Sequence, residues 1–198
     1  SRGLLNRQEA VSMLPVLALQ VSEGAAVLDM CASPGSKTMQ CLEAVAGGTS
    51  ARGIVIANDA HPKRVHQLMD TIERHSRPAA ERARFVVTCH RGEDFPMPVR
   101  PFVNKDKVNK SSLSREALTG FDRVLCDVPC SGDGTIRKDA TVRPRWTPAV
   151  GNQLHAVQLG IAWRGLCLLR VGGLMAYSTC TYNPIEDEAV VAGLLARA

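Results

Sequence analysis

Two cysteines stand at similar places in the second half of the chain, each where an apolar run ends in a turn. Cys130 follows the run RVLCDVP, and Cys180 follows AYST and precedes Asn183-Pro184. A thiolate is a strong nucleophile, so two cysteines at strand ends raise the question of which reaction would need both. Taken alone, a free cysteine is usually a small buried hydrophobe, and we expect that role for most of the seven cysteines.

The composition is that of an ordinary globular protein. Of the 198 residues, 45% are hydrophobic and 22% are charged, which is typical of one domain with a single core. The net charge of +5 and a pI near 9.0 favour an anionic partner such as nucleic acid. No apolar run reaches the roughly 18 residues of a membrane span. The cysteines lack zinc-binding spacing, so we expect a reduced, intracellular protein with neither a membrane nor a metal as partner.

The apolar pattern predicts strands that alternate with helices along the chain. Predicted helices cover 6–20, 35–46, 61–74, 151–169 and 185–197, and predicted strands cover 25–30, 53–58, 84–88, 121–127 and 173–178. The strands are apolar throughout, which is typical of a parallel sheet covered on both faces. We therefore predict a doubly wound α/β domain, whose ligands bind beyond the carboxyl ends of its strands.

Two basic segments interrupt or follow this pattern. The segment 97–120 is long and polar, and we interpret it as an insertion loop within a single domain, 1–198. It either contacts RNA or is a solvated surface loop, which is the commoner role. The stretch 137–146 has the same two interpretations. Its Trp146 either packs on a base or is buried in the core.

The loop after the first strand, DMCASPGSKT, opens a helix at Pro34-Gly35. It lacks the glycine patterns of phosphate-binding loops, yet a helix N-terminus still offers free N–H groups to a carboxylate. Asp59 follows the second strand, where an acidic residue can bind both hydroxyls of a ribose. Together they fit a nucleoside cofactor without a pyrophosphate. S-adenosylmethionine is the clearest candidate, and a generic nucleotide site is the alternative.

Three motifs, DMCASPGSKT, DVPCSGDGT and YSTCTYNPIEDE, occur in this order and resemble signature motifs of the NOL/NOP/Sun family of RNA cytosine-5 methyltransferases. The resemblance extends to NRQEAVSMLP in the first helix, and DVPCSGDGTIRK is most similar to the eukaryotic tRNA-modifying (Trm/NSUN-type) branch. It implies a Rossmann-like, S-adenosylmethionine-dependent methyltransferase sheet of seven strands. Because the pattern predicts five strands and the chain begins without Met, we expect a fragment that lacks the C-terminal strands.

The resemblance also implies a role for each candidate residue. Cys180 is the nucleophile that adds to carbon 6 of cytosine, Cys130 assists product release, and Asp127 lies between cofactor and cytosine. The cofactor site combines Asp59 and Asp127 with the loop residues Cys31, Ala32, Ser33, Pro34, Gly35, Ser36 and Lys37. Taken alone, Asp127 would equally be a turn carboxylate. Lys37 would be a surface lysine, although a cation is unfavourable at a helix start.

Two acidic stretches need separate interpretation. The family pattern has Asn-His-Asp after the third strand, and its Asp holds the adenine amine, but this chain reads CHRGED and places Arg91 at the Asp position. We expect Glu93 or Asp94 to replace it, or else a weaker adenine contact. The acidic trio 186–188 is predicted to begin a helix, where its charge favours the dipole.

The sequence therefore predicts an enzyme that transfers a methyl group from S-adenosylmethionine to carbon 5 of cytosine in RNA. We expect tRNA as the substrate and the nucleus or nucleolus as the location, with the cytoplasm as the alternative. An enzyme acting on ribosomal or messenger RNA is one rival, and a non-catalytic RNA-binding scaffold is another. Arg91 favours the scaffold, whereas Cys180, Cys130, Asp127 and Lys37 favour the enzyme.

Overall fold

The computed structural model describes residues 8–47, 53–75, 85–97 and 120–198. Each predicted helix and strand has a counterpart there. The helices are α1 (Ala10–Ala18), α2 (Ser36–Val45), α3 (Pro62–His75), α4 (Pro148–Leu168) and α5 (Glu188–Leu195). The strands are β1 (Ala26–Asp29), β2 (Ile54–Asn58), β3 (Phe85–Thr88), β4 (Phe121–Asp127) and β5 (Leu169–Ser178). Apart from its two end residues, the predicted insertion loop lies outside the described residues.

The five strands form one parallel sheet in the order β3-β2-β1-β4-β5. The chain therefore starts at the centre, runs outward through β2 and β3, and returns to place β4 on the other side of β1. The point between β1 and β4 is the topological switch point, where doubly wound sheets open a ligand crevice. Asp29 ends β1 and Asp127 ends β4, so both carboxylates lie at this crevice.

Alternate residues of each central strand enter two different hydrophobic layers. Val27 packs in the layer that also contains buried residues of α1, α2 and α3. The next residue, Leu28, packs in the layer that contains Phe95 and residues of α4. Because both faces are covered, the strands contain no polar alternation. This accounts for the continuous apolar runs in the sequence.

Both ends of α4 differ from the predicted bounds. The helix begins three residues early, because Thr147 is extended and Pro148 provides the preset first helical residue. At its other end, Leu169 was predicted to be helical but pairs with Phe121 as the first residue of β5. The register then shifts before Arg123 pairs with Leu174. Gly172 lies in this irregular part with a φ of 78°.

The expectation that most cysteines are buried is wrong. Cys41 and Cys126 are buried in the core, and burial raises the pKa of both thiols far above the ordinary value. Cys89, Cys167 and Cys180 are exposed. Their neighbours on the same elements take the core positions, as Leu168 does beside Cys167. The apolar character of a cysteine therefore does not decide which side of a helix it faces.

Candidate active site

The cofactor loop joins β1 to α2 and forms one wall of a pocket at the switch point. The pocket has an empty volume of about 240 Å³ and is lined by Asp29, Cys31, Ala32, Ser33, Pro34, Ser36, Lys37 and Asp127. Gly35 precedes α2 with a φ of 110°, and a Cβ there would lie 2.9 Å from Leu68 Cδ1. Glycine is therefore required for the turn that aims the α2 N-terminus at the pocket.

Asp59 lies beside the cofactor loop rather than in the lining of the pocket. The carboxylate is 4% exposed, and its Oδ2 accepts hydrogen bonds from Ser33 N at 3.2 Å and Arg64 Nε at 3.1 Å. Arg64 Nη2 also donates to Ser33 O at 2.8 Å. Oδ1 accepts from His61 N at 3.1 Å. Asp59 thus fixes the loop, and ribose binding stays a prediction.

Asn58 holds the carboxyl ends of three strands together, a role that the sequence analysis did not assign. It is fully buried. Its Nδ2 donates to Met30 O at 3.0 Å and to His90 O at 2.8 Å. Its Oδ1 accepts from Thr88 Oγ1 at 3.0 Å and His90 N at 2.9 Å. All four hydrogen-bonding positions of the amide are thus filled. The available sequence signal for such a link is an Asn at the end of an apolar strand.

Asp127 connects the pocket to the loops that carry the cysteines. Lys37 Nζ donates to Asp127 Oδ2 at 2.7 Å, and Ser178 Oγ donates to Asp127 Oδ1 at 2.7 Å. Lys37 is therefore ion-paired and is no free surface lysine, although it lies in the first turn of α2. Ser178 ends β5 and lies two residues before Cys180, so the contact spans both sides of the site.

Asp29, which the sequence analysis did not select, is a buried carboxyl group in the same pocket. Its Oδ2 accepts from Thr38 Oγ1 at 2.7 Å. Its Oδ1 is buried and has no hydrogen bond of normal geometry in the described part of the chain, although an interaction with the Cys31 backbone N–H acts to lower the pKa of the carboxyl. Burial raises the pKa of Asp29 to about 7, and the nearby charge of Asp127 adds to the increase. The pocket therefore contains one orphaned acidic oxygen, which a cationic ligand would satisfy.

The two cysteines meet at the ends of β4 and β5. Cys130 Sγ lies 3.1 Å from Cys180 Sγ, and Cys180 N donates to Cys130 Sγ at 3.2 Å. The two loops are tied further by bonds from Gly134 N to Cys180 O at 3.0 Å and from Val128 N to Ser178 O at 3.1 Å. Both sulfurs are at least partly exposed, so a base can reach them.

In the contact between the two sulfurs, Cys130 acts as the hydrogen-bond donor and Cys180 as the acceptor. The hydrogen bond with Cys130 lowers the pKa of Cys180 to about 7, against the effects of burial and of Asp127, and Lys37 lowers it further. The same bond, followed by burial, raises the pKa of Cys130 well above its ordinary value. At neutral pH Cys180 is therefore partly ionised to the thiolate, whereas Cys130 stays a thiol. A nucleophile must be a thiolate, and a proton donor must be a thiol.

We expect Cys130→Ala to slow alkylation of Cys180 by iodoacetamide at pH 7 by about tenfold or more, because the pKa of Cys180 rises when its donor is lost. The rate of modification would be followed by peptide mass spectrometry between pH 5 and pH 10. The two proteins should react equally at pH 10, where Cys180 is a thiolate in both. Superimposable pH profiles would contradict the assigned hydrogen bond.

Glu186 corrects the interpretation of the acidic trio as a plain helix start. Helix α5 begins at Glu188. Asp187 accepts a hydrogen bond from Thr179 Oγ1 at 2.7 Å. Glu186 is fully buried below the cysteine loops. Burial acts to raise the pKa of its carboxyl, but hydrogen bonds, first among them those from Ser131, hold this pKa below the ordinary value. Its partners come from distant parts of the chain, so local charge placement does not reveal them.

The basic stretch 137–146 combines a surface loop with one residue of the site. Arg143 and Arg145 are exposed, and Arg145 Nε donates to Thr141 O at 2.8 Å. Trp146 is half-buried, and its Nε1 donates to Ser131 Oγ at 3.0 Å. Trp146 therefore supports the loop after Cys130 and is not buried in the core, and packing on a base stays a prediction.

Arg91 engages the two acids that were expected to replace the missing Asp. Its guanidinium forms ion pairs with Glu93 Oε1 and with Asp94 Oδ2, the latter at 3.5 Å. Glu93 lies in a short 3₁₀ turn next to α4, and its side chain is 22% exposed. Adenine contact through either acid stays a prediction, since an incoming amine would compete with Arg91.

Two classes of site have no support within the described ranges. No helix there is long and apolar enough to cross a bilayer. Nor do three or more His, Cys, Asp or Glu residues of those ranges come together as candidate metal ligands.

The sheet order and the crevice at its switch point define a doubly wound, Rossmann-like α/β domain. The chain belongs to the 16S rRNA methyltransferase RsmB/F family, whose sequence profile matches residues 16–198.

Individual relatives agree with this assignment. The chain is 45% identical over 98% of its length to the multisite-specific tRNA:(cytosine-C(5))-methyltransferase of Saccharomyces cerevisiae, and spans 26% of that protein. It is 34% identical over 95% of its length to ribosomal RNA small subunit methyltransferase F of Escherichia coli, and spans 34% of it. NSun6 from Pyrococcus horikoshii, solved with SFG, has the same fold, with a TM-score of 0.72 and 22% identity. That match covers 99% of this chain and 43% of NSun6. The chain thus spans about a quarter to a third of the length of the two curated relatives.

Proposed function

We propose that this chain is the catalytic domain of an S-adenosylmethionine-dependent RNA (cytosine-5) methyltransferase that acts on tRNA. The observation that carries the proposal is the cysteine pair, whose sulfurs lie 3.1 Å apart. Cys180 is the cysteine whose pKa is lowered toward neutrality and Cys130 the one that stays protonated, as covalent catalysis with assisted release requires. The pair is linked through Ser178 and Asp127 to Lys37 of the pocket.

The residues of the pocket suit the proposed methyl donor, which carries an amino-acid end and a nucleoside. The N-terminus of α2 can receive a carboxylate, and the orphaned Oδ1 of Asp29 can receive an ammonium group. Asp59, held at the loop, is the candidate for the ribose. When bound, S-adenosylmethionine supplies an electrophilic methyl group on a sulfonium. No glycine-rich phosphate cradle is required, because this ligand has no phosphate.

The proposed chemistry begins with the cytosine ring, whose carbon 5 is a poor nucleophile. Cys180 Sγ adds to carbon 6, which breaks the aromaticity of the ring and makes carbon 5 enamine-like. Carbon 5 then takes the methyl group and loses its proton. The bond from carbon 6 to Cys180 breaks, which restores the double bond. Asp127 is placed to hold the exocyclic amine or the protonated ring nitrogen during the addition, and Cys130 assists the final elimination.

tRNA is favoured over ribosomal RNA because the yeast tRNA enzyme is 45% identical to this chain and the bacterial ribosomal RNA enzyme is 34% identical. The positive net charge suits either substrate. Ribosomal or messenger RNA is therefore the second candidate substrate. The choice of RNA depends on surfaces that include the rest of the protein, so the full-length enzyme is needed for the test.

The test is methyl transfer by the full-length protein from labelled S-adenosylmethionine to unmodified tRNA transcripts, with ribosomal RNA transcripts in parallel. We expect label in tRNA that is recovered as 5-methylcytosine after digestion. Label in ribosomal RNA alone would move the proposal to the second substrate. Cofactor and RNA binding without transfer to any RNA would favour a non-catalytic scaffold, and Arg91→Asp would then test whether the altered adenine contact is the cause.

A further inference from the structure

Glu186 is a charged carboxylate below the cysteine loops with hydrogen bonds but no ion pair among the described residues. It has no exposed surface. Its Oε1 accepts from Ser131 N at 2.8 Å and Gln158 Nε2 at 3.0 Å. Its Oε2 accepts from Ser131 Oγ at 2.5 Å and Asn183 Nδ2 at 3.1 Å. A buried charge with this many donors is costly to disturb, because each donor would be left unsatisfied.

On one side, this carboxylate fixes the peptide units that flank Cys130. The N–H that bonds Glu186 Oε1 belongs to Ser131, the residue directly after the cysteine. Gln158 Nε2, which shares the same carboxylate oxygen, also donates to Pro129 O at 2.9 Å. The residues before and after Cys130 are therefore both tied to Glu186, directly or through one side chain.

On the other side, Glu186 holds the segment that follows Cys180. Thr181 Oγ1 lies 3.3 Å from Glu186 Oε2 and also contacts Asp133 Oδ1. The backbone carbonyl of Glu186 accepts from Tyr177 OH at 2.6 Å, near the end of β5. One residue thus contacts the chain on both sides of Cys180 as well as next to Cys130.

Helix α4 closes this network from below at a glycine. A Cβ at Gly151 would lie 2.7 Å from Glu186 Oε2 and 2.2 Å from Asn183 Nδ2. No larger residue fits there without displacing the carboxylate. The position of Glu186 is therefore determined by close packing as well as by its hydrogen bonds.

We propose that Glu186 is a positioning residue for the cysteine pair: its buried carboxylate fixes the Cys130 loop against the Cys180 loop and so sets the distance between the two sulfurs. The geometric part of this inference needs no catalysis. Its consequence for methyl transfer rests on the function proposed above, since only there must a thiol stand next to the nucleophile.

The geometry can be tested through disulfide formation in the full-length protein. Diamide removes two electrons and two protons from a pair of thiols, so Cys130 and Cys180 become one disulfide and diamide becomes the hydrazine. Two thiols in contact react fast because they are held together. In Glu186→Gln an NH₂ group replaces one of the two carboxylate oxygens. It cannot accept a hydrogen bond, and it faces N–H or O–H groups that donated to that oxygen. We expect the Cys130–Cys180 disulfide to form about tenfold more slowly, as measured by alkylation of free thiols and peptide mass spectrometry.

Glu188→Gln is the matched control, because it makes the same change at an exposed residue two positions further on. We expect its disulfide rate to equal that of the wild type. Should Glu186→Gln fail to fold, Ser131→Ala removes one donor and leaves the carboxylate in place, and a several-fold slower rate is expected. A folded Glu186→Gln or Ser131→Ala protein with the wild-type rate would overturn the proposal.

A second readout separates positioning from general destabilisation. In Glu186→Gln the alkylation profile of Cys180 should move to higher pH, because Cys130 no longer stands at hydrogen-bond distance. In methyl transfer, kcat should fall while the KM for S-adenosylmethionine stays unchanged, since Glu186 has no contact with the cofactor loop. If the wild type transfers no methyl group, the proposed function fails, and the disulfide rates still decide the role of Glu186.

Discussion

Cys180→Ala in the full-length protein is expected to lower methyl transfer to RNA by about 10³-fold or more, because covalent activation of cytosine is lost with the thiolate. Cys130→Ala should have a different effect. The thiolate is still present, so the bond to carbon 6 can form, but its release is no longer assisted. We therefore expect a covalent protein–RNA adduct to accumulate in this variant.

A denaturing gel distinguishes the two variants after incubation with tRNA and S-adenosylmethionine. A slowly migrating band should be strong for Cys130→Ala, and absent for Cys180→Ala and for the double variant. Cys167→Ala removes an exposed thiol from α4 and should behave as the wild type. An adduct that persists in Cys180→Ala but disappears in Cys130→Ala would reverse the two roles. Full methyl transfer by Cys180→Ala would exclude the covalent route altogether.

The sequence predicted the strands, and with them the edge of the sheet at which both cysteines lie, for a physical reason. Parallel strands place their carboxyl ends at one edge of the sheet, so Cys130 and Cys180 had to lie at the same edge once β4 and β5 were recognised. The neighbouring order β4-β5 then brings the sulfurs into contact. Periodicity thus predicts which edge a residue occupies, and topology predicts which residues come together.

Side-chain partners could not be predicted in the same way. The bonds from Ser131 and Gln158 to Glu186 span 55 and 28 residues, and no local pattern records a contact of that kind. An acidic residue near a helix start is explained locally by the favourable interaction of its charge with the helix dipole. This explanation was wrong for Glu186. Asp29 was missed for a related reason: its importance lies in its burial, which the sequence does not display.

The buried carboxyl of Asp29 is expected to make the stability of the folded protein depend on pH. Its pKa is about 7 in the folded protein and 3.8 for the ordinary group. Below pH 3.8 the Asp29 carboxyl is protonated in both the folded and the unfolded protein, so it does not lower the free energy of unfolding. As the pH rises toward 7, the unfolded chain releases the proton and the folded protein keeps it, so the folded state loses stability. The loss reaches roughly 4 kcal/mol above pH 7. Such a buried acid is typical of a ligand site.

Asp29→Asn cannot ionise, so the variant should escape this loss. We expect its free energy of unfolding, relative to the wild type, to increase by up to roughly 4 kcal/mol between pH 4 and pH 8. Urea titrations of both full-length proteins without cofactor measure the difference at each pH, and any packing effect of the amide cancels between the two pH values. Asp70→Asn, on the exposed side of α3, is the control. A difference that stays constant with pH would mean that Asp29 is ionised in the folded protein, with a cation of the chain as its partner.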